Sequence, residues 1–180
     1  MAKNIQLIIA STRTERIGDQ VAEWAIGQLK AAGVSFNIID LQKEDLPFFI
    51  GKSPLYNPPE TSEAMAWAKK IGESDGFIIV TPEYNRSVPA PLKNALDYVS
   101  KEWKGKPVMT VSYGYIDGGT SVTKHLSDIY SWFGMREVPG VSIKVEPSML
   151  DNGKFTDTNA AFADYAANLQ ESAKTFAEQQ

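Results

Sequence analysis

Residues 76–103, GFIIVTPEYNRSVPAPLKNALDYVSKEW, constrain the fold more than any other stretch. Residues 76–81 are a short β-branched apolar run entered through Ser74-Asp75-Gly76, a turn signal, and predict a buried strand. Leu92, Ala95, Leu96, Val99 and Trp103 follow at helical spacing and predict one helix with a single buried face. Residues 82–89 between them are too polar for a core and too rich in proline to be regular. Pro91 suits the first helical turn, where its missing N–H would be unpaired anyway. A strand leading through such a loop into a helix puts Glu83, Tyr84, Asn85 and Arg86 at the carboxyl end of a sheet. Open α/β sheets bind their ligands there.

The rest of the chain repeats the pattern. Residues 4–10 read as a buried first strand, followed by a polar loop, residues 11–17, with Arg13 and Arg16. Ile17, Val21, Trp24, Ala25, Leu29 and Ala32 then share a helix face that ends at Gly33. Residues 35–40 form a second strand, parallel to the first by a right-handed crossover. Residues 41–59 carry Pro47, Pro54, Pro58 and Pro59, and form a long loop of the sort that is often functional. Its Phe48, Phe49, Leu55 and Tyr56 need cover. Either they pack on their own domain, or they form a subunit interface or a lid. Ser62 opens a helix with Ala64, Ala68 and Ile71 on one stripe. Residues 106–111 are a fourth strand, and residues 112–120 a second glycine-bearing loop, in which Gly118 and Gly119 cap the next helix. That helix buries Val122, Leu126, Ile129 and Phe133 and stops near Gly134. Residues 137–145 are a fifth strand, bent at Pro139-Gly140. Residues 148–158 are polar, with a turn at Asp151-Asn152-Gly153. The last helix buries Phe162, Tyr165, Ala166, Leu169, Ala173 and Phe176. Alternating strands and helices call for a doubly wound sheet.

Length and composition set the bounds. The 180 residues are expected to form one domain, 1–180, able to bury roughly 70% of its unfolded surface. Cysteine is absent, so disulfides, thiolate metal sites and CxxC redox chemistry are excluded together. Redox work would need a bound cofactor. With neither a leader-like start nor an apolar 18-mer, the expectation is a cytoplasmic protein with no membrane partner. A net charge of −4 argues against nucleic-acid binding.

Thr81-Pro82-Glu83-Tyr84-Asn85, then Ser87, Pro89 and Leu92-Lys93-Asn94-Ala95-Leu96-Asp97, resemble the signature of the NAD(P)H-dependent FMN reductase family. The resemblance implies a flavodoxin-like three-layer α/β sandwich, a five-stranded parallel sheet in the order 2-1-3-4-5, and bound FMN. The ligand crevice of that order lies between the first and third strands. It implies Ser11 and Arg13 as phosphate ligands, with Arg16 and the Ile17 backbone beside them; Ala10 stands where the family has glycine. Pro82, Glu83, Tyr84 and Asn85 would line the isoalloxazine and ribityl chain. Ser112, Tyr113 and Gly114 match the family's Ser-x-Gly, while Tyr115 replaces a further glycine and narrows the pocket.

The residues themselves are compatible with that assignment. A helix N-terminus after the first strand is an anion site, and Arg13 offers a fork matched to phosphate oxygens. Each charged hydrogen bond there is worth about 1.5–3 kcal/mol. Alternatively, Arg13 and Arg16 are solvated charges paired with Glu15 or Asp19. Tyr84 offers an aromatic wall and Asn85 an amide, or both are ordinary loop residues. Lys93 and Asp97 read as structural. His125, the sole histidine, reads as a helix-surface residue. No GxxxxGK[ST], GxGxxG after the first strand, or GxSxG elbow is present, and one histidine without cysteine is a poor metal set. The expected function is hydride transfer from NADPH or NADH to FMN, and onward to a small-molecule acceptor: a quinone, azo compound, free flavin or metal oxyanion. No protein acid or base is required. The alternatives are a flavodoxin-type electron carrier and a flavin-bound redox sensor. The family implies a homodimer or homotetramer, with residues 41–59 as the candidate contact.

Overall fold

The computed structural model describes residues 3–44 and 46–179. The elements run β1 (Ile5–Ile9), α1 (Gly18–Ala31), β2 (Asn37–Asp40), α2 (Ser62–Gly72), β3 (Gly76–Pro82), α3 (Ala90–Asp97), β4 (Pro107–Gly114), α4 (Thr120–Phe133), β5 (Arg136–Lys144), β6 (Leu150–Asp151), β7 (Lys154–Phe155), α5 (Thr158–Ala161) and α6 (Ala163–Glu178). The first five strands form one parallel sheet in the order β2-β1-β3-β4-β5, as expected. Leu7 pairs with Ile78, Ile79 with Thr110, and Val111 with Val141.

Every residue of β1, β3 and β4 is buried, which follows from helices covering both faces. Side chains alternate between two cores. Ile5, Leu7, Ile9, Ile78 and Val80 face α1 and α6, where Trp24 packs edge-on to Phe162. Ile8, Phe77, Ile79 and Val108 face α2, α3 and α4, with Trp67, Trp103 and Tyr130 among them. Two indoles close the second core. Trp67 Nε1 donates to Ala95 O at 2.8 Å and Trp103 Nε1 to Leu96 O at 3.2 Å. Both carbonyls lie in the last turn of α3, where no intrahelical donor remains for them.

That arrangement corrects one expectation. The helix after the central strand ends at Asp97, not at Trp103; the chain bends at Ser100 and returns Trp103 to the core through a 3₁₀ turn, Lys101–Trp103. On α2, Trp67 fills the buried stripe between Ala64 and Ile71, while Ala68 is only partly covered. β4 continues through Ser112, Tyr113 and Gly114, which the sequence places in a loop. The bend at Pro139-Gly140 is a β-bulge: the register against β4 shifts between Met109 and Val111. A Cβ on Gly140 would lie 1.8 Å from the carbonyl oxygen of Thr110, so glycine is required there.

The loop after β2 is clasped from α3. Asn94 accepts from Phe49 N at 2.9 Å and donates to Pro47 O at 2.9 Å, and the Tyr98 hydroxyl donates to Pro47 O at 2.7 Å. Phe49 packs edge-on to Tyr98. Phe48 and Tyr56, by contrast, are about four-fifths exposed and Leu55 half exposed, so the loop's aromatic side chains are only partly absorbed by their own domain. Among the described residues no helix is long and apolar enough to cross a membrane.

Candidate functional site

The loops after β1, β3 and β4 meet at the carboxyl edge of the sheet around a cleft of about 300 Å³. It is lined by Ser11, Arg13, Arg16, Ile17, Pro82, Glu83, Tyr84, Tyr113 and Gly114 of the expected set, joined by Glu15 from the first loop, by Tyr115 and by Val145 and Gly153 from beyond β5. A groove of about 670 Å³ lies elsewhere, between residues 49–55 and the outer faces of α3 and α4. It is larger, but the cleft is where the polar loops converge.

The first loop ends at α1, whose N-cap, Ile17, supplies no side-chain hydrogen bond. The N-cap therefore leaves the positive end of a fourteen-residue helix free at its first residues, while in the first turn Asp19 Oδ1 accepts from Gln20 N at 3.0 Å. Arg13 is exposed and has no ion-pair partner among the described residues. Arg16 differs. Its guanidinium grips Asp40 at the end of β2 through two 2.6 Å bonds and also donates to Ser11 O at 2.6 Å. Both side chains are about nine-tenths buried. Hydrogen bonding to Arg16 holds the Asp40 carboxyl below its usual range, and the same bond raises Arg16. Neither Glu15 nor Asp19 is the partner of Arg16.

The second loop is a tight hairpin. Tyr84 and Ser87 exchange backbone hydrogen bonds of 3.1 and 2.9 Å. Asn85 and Arg86 between them have φ of 50° and 61°, the left-handed pair that a type I′ turn demands. Tyr84 thereby turns its hydroxyl to within 3.0 Å of Ser11 Oγ, joining the first and second loops. Asn85 is exposed at the hairpin tip and does not line the cleft. Ser87 Oγ lies 3.0 Å from Nδ1 of the exposed His125 on α4. Glu83 lines the cleft, yet its carboxylate is spoken for: Oε2 accepts from Ser121 N at 3.0 Å and Val122 N at 3.1 Å, capping α4 from outside the helix.

In the third loop Ser112 is fully buried and donates to Ser142 Oγ at 2.9 Å, so its hydroxyl faces away from the cleft. Gly119 packs on it; its φ is 85° and a Cβ there would fall 2.8 Å from Ser112. Tyr113 reaches back over Gly18, where any Cβ would meet its hydroxyl, and burial pushes that phenol well above its usual value. Tyr115 and Ile116 stand exposed on the rim. Asp117 anchors their loop, accepting from Ser121 Oγ at 2.7 Å and Gly119 N at 3.2 Å and pairing with Arg86 at 3.3 Å. Asp40 had no sequence signal, because its pairing with Arg16 spans separate elements. Val145 carries no motif either, and Gly153 is marked only as a turn residue.

The NADPH-dependent FMN reductase family model matches residues 4–147. The chain belongs to that family. It is 34% identical over 143 residues to an NAD(P)H-dependent FMN reductase of Schizosaccharomyces pombe, covering 75% of this chain and 69% of the relative. It is also 34% identical over 165 residues to a 2-hydroxy-1,4-benzoquinone reductase of Burkholderia sp, covering 84% of each. Among solved structures it superposes on a flavoenzyme NAD(P)H:(acceptor) oxidoreductase from Paracoccus denitrificans with a TM-score of 0.74 at 20% identity, over 99% of this chain and 98% of the other. That superposition supports the flavodoxin-like fold. As a family member the protein is an oxidoreductase that uses FMN and NAD(P)H. The residues present fit the flavin: a helix end whose N-cap adds no side-chain acceptor, beside Arg13, suits its phosphate, and Tyr84 and Tyr115 supply aromatic surface for a flat ring.

Proposed function

We propose that this enzyme carries reducing equivalents from NAD(P)H through FMN held in the three-loop cleft to a small planar acceptor of the quinone type. The observation that carries the reading is the polarity of the cleft: one end has Arg13 and the helix N-terminus, the other the exposed Tyr115, which Ile116, also exposed, follows in the chain. Ser11, Arg13 and the Ile17 backbone hold the phosphate; Pro82, Tyr84, Tyr113 and Gly114 border the ring. Arg16 and Glu83 hold the loops in place, and Asn85 and Ser112 shape them. When bound, the flavin supplies the two-electron chemistry, and the protein orients it and limits what reaches it.

An apolar rim favours a quinone over a metal oxyanion, since Arg86, the rim's cation, is already paired with Asp117. Relatives named quinone reductase, including one of Pseudomonas putida at 32% identity over 175 residues, support that choice. Reliance on NAD(P)H fits a cytoplasmic setting. We further infer a homodimer, formed over the groove that holds Leu55 and the exposed Trp132. The test is a visible spectrum of the purified protein, then anaerobic NADPH titration and re-oxidation by benzoquinone. Bleaching by NADPH and recovery with quinone are expected. A colourless protein that stays so after incubation with FMN overturns the reading, and a yellow one that NADPH cannot bleach returns it to an electron carrier. Arg13→Ala is expected to weaken FMN by at least about tenfold, the low end for one charged hydrogen bond, and riboflavin hardly at all; equal losses would remove Arg13 from the phosphate site.

A further inference from the structure

Four carbonyl oxygens of the first loop are each held by a side chain: one by Arg16 of the loop itself, and three by residues outside the cleft. Arg16, itself locked to Asp40, takes Ser11 O at 2.6 Å. Gln42, just beyond β2, donates to both Thr12 O and Arg13 O at 3.3 Å. Lys154, on the hairpin of β6 and β7, takes Arg16 O at 2.6 Å. A trans peptide is planar, so the carbonyl of one residue and the N–H of the next point in opposite directions. Fixing those four oxygens fixes the N–H groups of Thr12, Arg13, Thr14 and Ile17 facing the other way. None of these four N–H groups has a hydrogen-bond acceptor among the described residues. In a protein, backbone N–H groups left together in this manner form an anion-binding concavity.

We propose that Asp40, Arg16, Gln42 and Lys154 are positioning residues that set the amides of the phosphate loop by pinning its carbonyls, and that Arg16 works as a strut rather than as a phosphate ligand. The inference rests on reading the cleft as the FMN site. It also explains why an arginine next to an anion site is neutralised by a buried carboxylate: a direct ligand would keep its charge for the phosphate.

The experiment measures dissociation constants for FMN and for riboflavin, by flavin fluorescence, on wild type, Asp40→Asn, Arg16→Lys and Gln42→Ala. Riboflavin lacks the phosphate, so the ratio of the two constants reads the loop and a general loss of folding does not. Gln42 is exposed, so its variant tests the idea even if the buried pair cannot be altered without unfolding. The expected result is a drop of about tenfold in the FMN preference for Asp40→Asn and for Arg16→Lys, and about threefold for Gln42→Ala. The Asp40→Asn, Arg16→Lys double variant should lose no more than either single one, because both cut the same strut. An Asp40→Asn protein that holds FMN as tightly as wild type, or tighter, overturns the proposal and makes Arg16 a ligand released for phosphate. A wild type that shows no preference for FMN overturns this inference together with the cleft assignment, whereas an unchanged preference in Gln42→Ala and Asp40→Asn overturns the pinning alone.

Discussion

Glu83 stands in the most recognisable motif of the chain, yet the structure gives its carboxylate a mechanical task. Removing it tests that. In Glu83→Ala two N–H groups at the start of α4 lose a charged acceptor. At the low end for charged hydrogen bonds, because the site is only partly buried and water can return, the loss is about 2–3 kcal/mol. Glu83→Gln behaves differently. Both bonds end on the same oxygen, Oε2, so an amide carbonyl can accept both, and only the attraction between a full charge and the helix end is lost, about 0.3–1 kcal/mol. For a chain of this size each kcal/mol moves the midpoint by about 2–4 °C. The alanine variant should therefore melt about 4–12 °C below wild type and the glutamine variant about 1–4 °C below. Far-UV circular dichroism melts of the FMN-free proteins at neutral pH measure both. FMN affinity of the glutamine variant should stay within about threefold of wild type. Two variants with the same melting point, or a glutamine variant that melts normally but loses FMN, would mean that Glu83 acts on the ligand and not on α4.

Further expectations concern the rest of the scaffold. Gly140→Ala should cost more than about 3 kcal/mol, because its Cβ would overlap the Thr110 carbonyl; a melting point within a few degrees of wild type would show that the bulge can relax. Asp40 is held below its usual value, so its pairing with Arg16 stabilises the fold above the unfolded value of about 3.9 and fades as the pH falls through the lower native one. The gap in urea midpoint between wild type and Asp40→Asn should thus be full at pH 6 and shrink below about pH 4; a gap that persists at pH 2 would contradict the sign. In the homodimer inferred above, Trp132→Glu should halve the mass seen by light scattering, since Trp132 is 77% exposed beside an apolar groove. An unchanged mass would refute the contact proposed over this groove.

The sheet was legible because its three inner strands are buried runs separated by amphipathic helices, a pattern with few solutions. The cleft was legible at Arg13, Tyr84 and Tyr113, which lie beside the strand ends that the pattern marks. Other features were hidden for identifiable reasons. Trp103 keeps helical spacing with Val99, but spacing alone does not separate a continuous helix from a helix, a bend and a 3₁₀ turn that return to the same core. Ser112 reads as a loop residue because a glycine lies two positions on, although it is buried inside β4, which runs to Gly114. The Arg16–Asp40 pair spans elements 24 residues apart, and no local pattern marks it. Glu83 was seen as part of a ligand motif, while its helix-capping role depends on where α4 begins in space.

The corner at Asn85 and Arg86 is where this molecule forgoes stability. An L-residue in the left-handed region costs about 1–2 kcal/mol, and a glycine at 86 would recover much of it. Such a swap would also cut the only cord, Arg86 to Asp117, that the described residues show between the hairpin tip and the loop bearing Tyr115 and Ile116. A sturdier protein with a looser mouth is the foreseeable trade, and a broader choice of acceptors would be its signature.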